Sequence, residues 1–504
     1  MIKNKERVYA GAWYLFVFAF LYIWFTQIHP LILFDSDDWL YVAYVRRGIP
    51  LWGNWNPAKL FPETLMPMVC SAAVHLLYPL TGDYVGAIMV VSALLVSLFL
   101  TVYIWAFTRL IRDSFSLSTP VTLLLSALFF LLHFLALRSE ESANQYLFYC
   151  WDVNCYYNYL IPGVLNAILV MLMANDRLFP ALWSGSVKKG FFLLAVYLAV
   201  FSNLASSGVL AAYAGSRVLL ALVEKLRKKI TWKELFRETA LHLGILTLWL
   251  VSAVFELSGG RASGSIGGVG ELLRAAANIL EALSHPTVYS AKAFLLLGFL
   301  TAGSAAAVWL LNRKKRKAAD KEGWEKTSVF TFVSFLISGA ALLVYMVLLM
   351  AVVEWTSVRR SEYLFVLFFY LLLLVLYVLC YVVKKCPDAV LALPVLLYVL
   401  LTCTNTTGQT FRDSNMDNYP AEICAQITND LIDQFIQADA EGVEYLQLRV
   451  PDFPKDLNWP LFEGENSFGI ADSLYEHGVT RRRIEFTSVP DPALNEKYQL
   501  HLFE

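Results

Sequence analysis

Long apolar runs separated by short charged stretches dominate the chain. A helix needs roughly 20 apolar residues to cross a hydrocarbon core of about 30 Å. Eleven such spans can be read, near 9–31, 84–108, 120–137, 157–174, 190–203, 206–223, 238–255, 288–311, 328–352, 361–383 and 387–404. The stretch "LMPMVCSAAVHLLYPL" at 65–80 is apolar but short, with Pro67 and Pro79 near its ends and His75 inside. Alternating segments of about ten residues, which a membrane β-barrel needs, dominate nowhere. After Thr404 the pattern changes. Ile423, Ile427, Leu431 and Phe435 recur at helical spacing, and "EYLQLRV" alternates as a strand does. "FGIADSLYEHG" resembles a short helix stopped by Gly478, and "RRIEFTSV" alternates again. The expected fold is an all-α polytopic membrane domain over 1–404, with about eleven transmembrane helices, and a small C-terminal α/β domain over 405–504.

Composition agrees with that class. The 504 residues are 58% hydrophobic and only 16% charged, against about 25% charged in a soluble chain, and mean hydropathy is +0.55. A net charge of −1 suggests no nucleic-acid partner. The basic start "MIKNKERVYAGAWYLF" leads into a long aromatic-rich stretch without a small-residue cleavage site, so it reads as a retained first helix. With eleven spans and 65–80 not crossing, 24 of the 40 lysines and arginines fall on one side and nine on the other, with seven in the tail. Basic loops stay cytoplasmic. The chain is therefore expected in the cytoplasmic membrane as a multi-pass protein, with its N-terminus inside and its C-terminus outside. On that bookkeeping, 65–80 lies along or dips into the outer leaflet. Seven cysteines form no metal-binding spacing, and Cys150 and Cys155 could bridge or stay free.

The spans themselves are nearly free of charge, and acids and arginines collect on the outer loops. The first loop, "LFDSDDWLYVAYVRRG" and beyond, holds Asp35, Asp37, Asp38 and Glu63. The second holds Arg138, Glu140, Glu141 and Asp152 among many aromatics, and a later one holds Glu354, Arg359, Arg360 and Glu362. Ionisable groups at a membrane edge are functional candidates. Plainer roles compete. Ser36, Asp37 and Asp38 suit a helix N-cap and first turn, Arg359 and Arg360 suit head-group anchors, and the Trp and Tyr residues suit an interfacial belt. His29, His75 and His133 are scattered and read as polar contacts.

A first span, an acidic motif "DSDDW" at its outer end, a long loop and ten further spans together resemble the GT-C superfamily of polytopic glycosyltransferases. Within it the chain is most similar to bacterial enzymes of the GtrII-like kind: "FDSDDWLY" matches the acidic first-loop motif and "YYNYLIPG" a Tyr-rich segment. The resemblance covers roughly residues 1–404, and more loosely the tail. It implies transfer of a sugar from a polyprenyl-phosphate carrier to a cell-surface glycan or glycolipid acceptor on the outer face, with inversion. The expected base is Asp37 or Asp38, with Asp35 as its orienting partner. Substrate contacts are expected from Arg359, Arg360, Arg138, Glu63, Trp39, Tyr157 and Asn158. Trp52, Trp55, Tyr156 and Tyr159 offer further flat faces for a sugar ring, and Trp459, Phe462 and Tyr475 possible tail contacts. No cofactor is expected. Three acids could hold a divalent metal, but most enzymes of this kind are not thought to depend on one. An outer-leaflet polysaccharide polymerase or ligase, a lipid-linked glycan transporter or flippase, and an assembly protein whose tail does the binding are the competing expectations.

Overall fold

The computed structural model describes residues 2–43, 57–135, 146–227, 230–257, 268–284, 302, 303, 306, 326–352, 360–393, 398, 419–452 and 469–502. It is overwhelmingly helical. Among the described residues, eight helices are long and apolar enough to cross a membrane: Lys5–Ile28, Phe61–Thr81, Tyr84–Phe115, Val153–Met173, Leu204–Leu226, Trp232–Glu256, Val329–Val352 and Ser361–Lys385. This is the architecture of a polytopic helical membrane protein. Seven of the eight coincide with expected spans. Two other expected spans appear as shorter helices among the described residues: Thr119–Leu135, with 17 residues up to the last one described there, and Ser186–Val200, with 15. Most of 288–311 and of 387–404 lies outside the described residues.

The segment at 65–80 is longer than its sequence suggested, because a π-helical turn at Phe61–Leu65 extends it to a 21-residue helix. Its pairing is also fixed. Tyr78 meets Tyr84 across the Gly82 turn, with ring centroids 5.9 Å apart, and Phe61 meets Phe99 at 6.4 Å. Gly82 supplies the left-handed turn at φ +68°. The two helices therefore run antiparallel, and Phe61 sits beside a residue about 22 Å along its neighbour at 1.5 Å per residue. The neighbour continues to Phe115. Length alone would let Phe61–Thr81 cross, but the pairing starts it alongside the middle of the longer helix.

The chain forms two compact units: Met1–Leu15, Leu100–Tyr149 and Pro162–Gln409 make one, and Phe16–Phe99, Cys150–Ile161 and Thr410–Glu504 the other. Residues Thr410–Glu504 of the tail group with Phe16–Phe99 and Cys150–Ile161 in the second unit.

In the first unit, helices meet through small residues and single polar contacts, as expected where lipid removes the hydrophobic drive between them. Tyr345 donates to the Leu204 carbonyl at 3.0 Å, Tyr370 to the Val209 carbonyl at 2.7 Å, and Ser338 to Ser216 at 2.9 Å. Asn203 caps Leu204–Leu226 by accepting the Ala205 and Ser206 N–H groups. Gly208 admits the Tyr345 ring: a Cβ there would stand 2.5 Å from the ring.

In the second unit, the tail adopts the elements its periodicity suggested. A helix, Ala421–Glu441, buries Ile427, Leu431 and Phe435. Strand β1 (Tyr445–Val450) and strand β2 (Glu485–Pro490) pair in parallel, Tyr445 opposite Glu485. The parallel pairing demands a crossover, which contains the Gly469–Glu476 helix, and Gly478 follows at φ +68°.

The Gly208 contact yields a direct test in the detergent-solubilised chain. Gly208→Ala should lower the thermal midpoint, because overpacking against a tethered ring costs about 1–3 kcal/mol. Gly215→Ala, in the same helix with nothing within 4 Å, should be neutral or stabilising by up to about 1 kcal/mol. Equal midpoints would show that the close approach is not what holds these helices together.

Candidate functional site

The acidic motif forms a six-residue helix, Ser36–Tyr41. Its cap is Asp35, one position earlier than expected: the backbone there is extended, and the side chain accepts the Asp37 N–H at 2.7 Å. Asp37 and Asp38 occupy the first turn, where the helix dipole favours carboxylates. So short a helix does not persist alone. Asp38 anchors it. This side chain is fully enclosed; one oxygen accepts the Asn154 N–H at 2.6 Å and the other the Phe34 N–H at 3.4 Å. Asp152 performs the same service for the second loop, taking the Cys155 N–H at 2.5 Å and the Cys155 thiol at 3.2 Å. Cys150 and Cys155 are not bridged to each other.

Two π-helical turns complete the surroundings. Phe61–Leu65 carries Glu63, and Tyr156–Leu160 carries Tyr157 and Asn158; the two turns pack on each other. Glu63, Tyr157 and Asn158 are all buried. Tyr157 is hydrogen-bonded to Ser92 at 3.0 Å, and Tyr156 lies edge-on to Phe25 with its hydroxyl 3.3 Å from His29 Nδ1. A third π-helical turn, Trp24–Ile28, leads directly to His29. These three are the π-helical turns among the described residues, and all lie in this unit. Such turns recur at functional sites because the inserted residue re-aims the side chains around it.

The tail closes over the acidic helix. Trp39 is 2% exposed and stacks on Tyr84, with centroids 6.1 Å apart and planes 11° from parallel. Gly469 brings its helix against the Trp39 backbone: a Cβ would come within 2.7 Å of the Trp39 carbonyl oxygen. Ser473 donates to that same carbonyl at 3.5 Å, and Thr428 to the Leu33 carbonyl at 3.4 Å. His477 Nδ1 pairs with the Tyr84 hydroxyl at 2.8 Å, and its ring meets His75 edge-on. Elsewhere on the tail, a groove of about 400 Å³ is lined by Asp430, Gln434, Arg449 and Lys497 among others. Lys497 and Tyr498 pair with Asp430, and Arg449 pairs with Asp491. Burial, with the Asp430 contact adding to it, pushes the Tyr498 hydroxyl well up.

The structure therefore brings Asp35, Asp37, Asp38, Trp39, Glu63, Tyr157 and Asn158 into one compact unit, and Arg360 belongs to the other. Arg138, Arg359, Trp52, Trp55, Trp459 and Phe462 lie outside the described residues. Trp39 stacks on Tyr84, and both Trp39 and Tyr157 are almost fully buried. Asp38 holds backbone together. Asp37 differs: it is half-buried, and its carboxylate makes no hydrogen bond among the described residues. No group of three His, Cys, Asp or Glu side chains among the described residues is arranged to hold a metal. Asn154, Tyr84, Ser473 and His477 were missed in the sequence; only the "SDD" capping pattern pointed toward a backbone partner for Asp38.

Burial, reinforced by His75, lowers the His477 pKa to about 4. A histidine held neutral when folded, against an ordinary value near 6.5, contributes fully above about pH 6.5, and that contribution drains as pH falls toward about 4. Hydrogen exchange at 469–477, corrected for intrinsic rates, should accelerate between pH 7.5 and pH 5, and His477→Gln should flatten the change. A wild-type chain protected equally at both values would exclude the effect. Set against family models, curated proteins and solved structures, the chain matches none of them, and the site stands on its own geometry.

Proposed function

We propose that the chain is a membrane glycosyltransferase that moves a sugar from a polyprenyl-phosphate carrier to a glycan or glycolipid acceptor at the outer face, with Asp37 as general base. The observation that carries this reading is the division of roles in the acidic helix. Asp35 and Asp38 are committed to backbone N–H groups, while Asp37, between them, keeps its carboxylate uncommitted among the described residues. In transfer, that carboxylate takes the proton of the acceptor hydroxyl. The hydroxyl oxygen attacks the anomeric carbon from the face opposite the leaving group, the bond from that carbon to the phosphate oxygen breaks, and polyprenyl phosphate departs with both electrons. The configuration inverts. Phosphate is a good leaving group, so a base and a cation that steadies the departing charge are sufficient. A guanidinium suits the second task through its planar fork.

The test uses the full chain in vesicles with a glycosyl polyprenyl-phosphate donor. Asp37→Asn should reduce transfer by roughly 10²- to 10⁴-fold, the contribution of a positioned base, with thermal stability unchanged. Asp38→Asn should instead lose about 1–3 kcal/mol of stability, because the Asn154 N–H and the enclosed oxygens lose a charge-assisted bond. Wild-type turnover in Asp37→Asn would end the assignment. Chelation should leave transfer unaffected. A chain that carries labelled glycolipid between leaflets without forming a glycosidic bond would be a transporter instead.

A further inference from the structure

The Ser361–Lys385 helix begins without a side-chain cap. Arg360 holds the N-cap position with extended backbone (φ −70°, ψ 140°), and its side chain makes no cap hydrogen bond. Such an end carries orphan donors and partial positive charge. Two buried side-chain oxygens at this end have no partner among the described residues. Glu362 has a fully enclosed side chain: its Oε1 accepts from Arg360 at 2.8 Å, and its Oε2 receives no hydrogen bond among the described residues. Ser361 is 1% exposed, and its hydroxyl oxygen is likewise without a partner. The rest of the turn is well packed, with Tyr363, Leu364, Phe365 and Val366 buried. A buried carboxylate oxygen without a donor carries its whole desolvation cost, and native structures seldom leave one so. The Arg360 side chain, which holds Oε1, is itself 29% exposed.

We propose that this helix end binds a phosphodiester or phosphomonoester lipid headgroup that also carries hydroxyls, a polyol phosphate. The phosphate lies against Arg360 and the first N–H groups of the helix, a setting suited to anions. A headgroup hydroxyl donates to Glu362 Oε2, and a second exchanges a hydrogen bond with Ser361 Oγ. The chemistry discriminates. A bare phosphate leaves Oε2 without a donor and faces a carboxylate that repels it; a headgroup with hydroxyls satisfies both. The helix is an apolar span of 25 residues, so its end lies where lipid headgroups lie. Two sources share this chemistry: a glycerol-headed phospholipid and a sugar-bearing polyprenyl phosphate. The inference stands on the membrane class of the chain and does not require the transfer reaction.

The experiment measures binding to the purified full chain in detergent by native mass spectrometry, using two matched pairs. These are phosphatidylglycerol against phosphatidic acid, and glucosyl polyprenyl phosphate against polyprenyl phosphate. The wild type should prefer the hydroxyl-bearing member of at least one pair by about tenfold, the worth of one hydrogen bond to a charged group; the pair that shows it names the source. Glu362→Gln and Ser361→Ala should each cut that preference to less than about threefold without weakening the bare phosphate. Arg360→Ala should weaken all four lipids by about tenfold. A preference undiminished in both Glu362→Gln and Ser361→Ala overturns the proposal. So does a wild type without preference in either pair, in which case an ordered water satisfies Oε2.

Discussion

A carboxylate sealed from solvent must find its donors inside the protein, and Asp38 finds them on two separate stretches of backbone, at Asn154 and Phe34. That requirement organises everything around the acidic helix. The helix is too short to hold its own shape, so the Asn154 bond fixes where it lies, and with it the direction in which Asp37 points. It also pins the start of Val153–Cys155, and thereby the Tyr156–Leu160 turn that follows without a break. Removing the donor would strand a charge; removing the charge would loosen both loops. The tail adds a second constraint from another direction. Gly469 permits a backbone approach to Trp39 that any side chain would prevent, and burying an indole contributes on the order of 3 kcal/mol. A segment that looks like an appendage in the sequence is thus part of the wall behind the acids.

Much of the helical layout was legible in the sequence because its cause is local. Apolar runs announce spans, as at Tyr84–Phe115 and Ser361–Lys385, and alternation announces the strands at Tyr445–Val450 and Glu485–Pro490. What was not legible depends on partners far along the chain. The burial of Trp39 follows from Tyr84 and Gly469, which are 45 and 430 positions away. The capping register of "DSDDW" is ambiguous from its letters, since each of the four polar residues is a competent cap. It is resolved by the buried approach of Leu31–Phe34 and the extended backbone of Asp35, which put Asp35 at the helix start. The π-helical turns leave no periodic mark, because one inserted residue shifts a face by only about 100°. Such a shift is nevertheless enough to turn Glu63 and Tyr157 inward.

The two compact units use different means to hold helices together. In the first, single hydroxyls cross between helices at glycines and serines, as with Tyr345 over Gly208 and Tyr370 beside Gly339. Lipid offers no penalty for exposed leucine, so packing rests on close approach and on polar bonds that have nowhere else to go. In the second, the contacts resemble those of a water-facing protein: capped short helices, a parallel strand pair with its crossover, and carboxylates bound to backbone N–H groups. Acids are rare along the apolar spans and sit near their ends, as Glu63 and Glu362 do, and the sequence crowds three of them just past its first helix.

A group that fixes the frame and a group that reacts make opposite demands. The first must be enclosed and fully bonded, since any slack moves the site. The second must keep a lone pair free and reach the substrate. In the proposed reaction, Asp38 and Asp37, adjacent on the same turn, divide these demands: one is fully enclosed with two backbone donors, the other is only partly buried. In a run of three acids over four positions the carboxylates are chemically near-identical, so no reading of letters could separate them. Helical geometry separates them, because successive residues point about 100° apart and only one can face the second loop. The neighbour is then turned away from it, held in place by a bond it does not itself make.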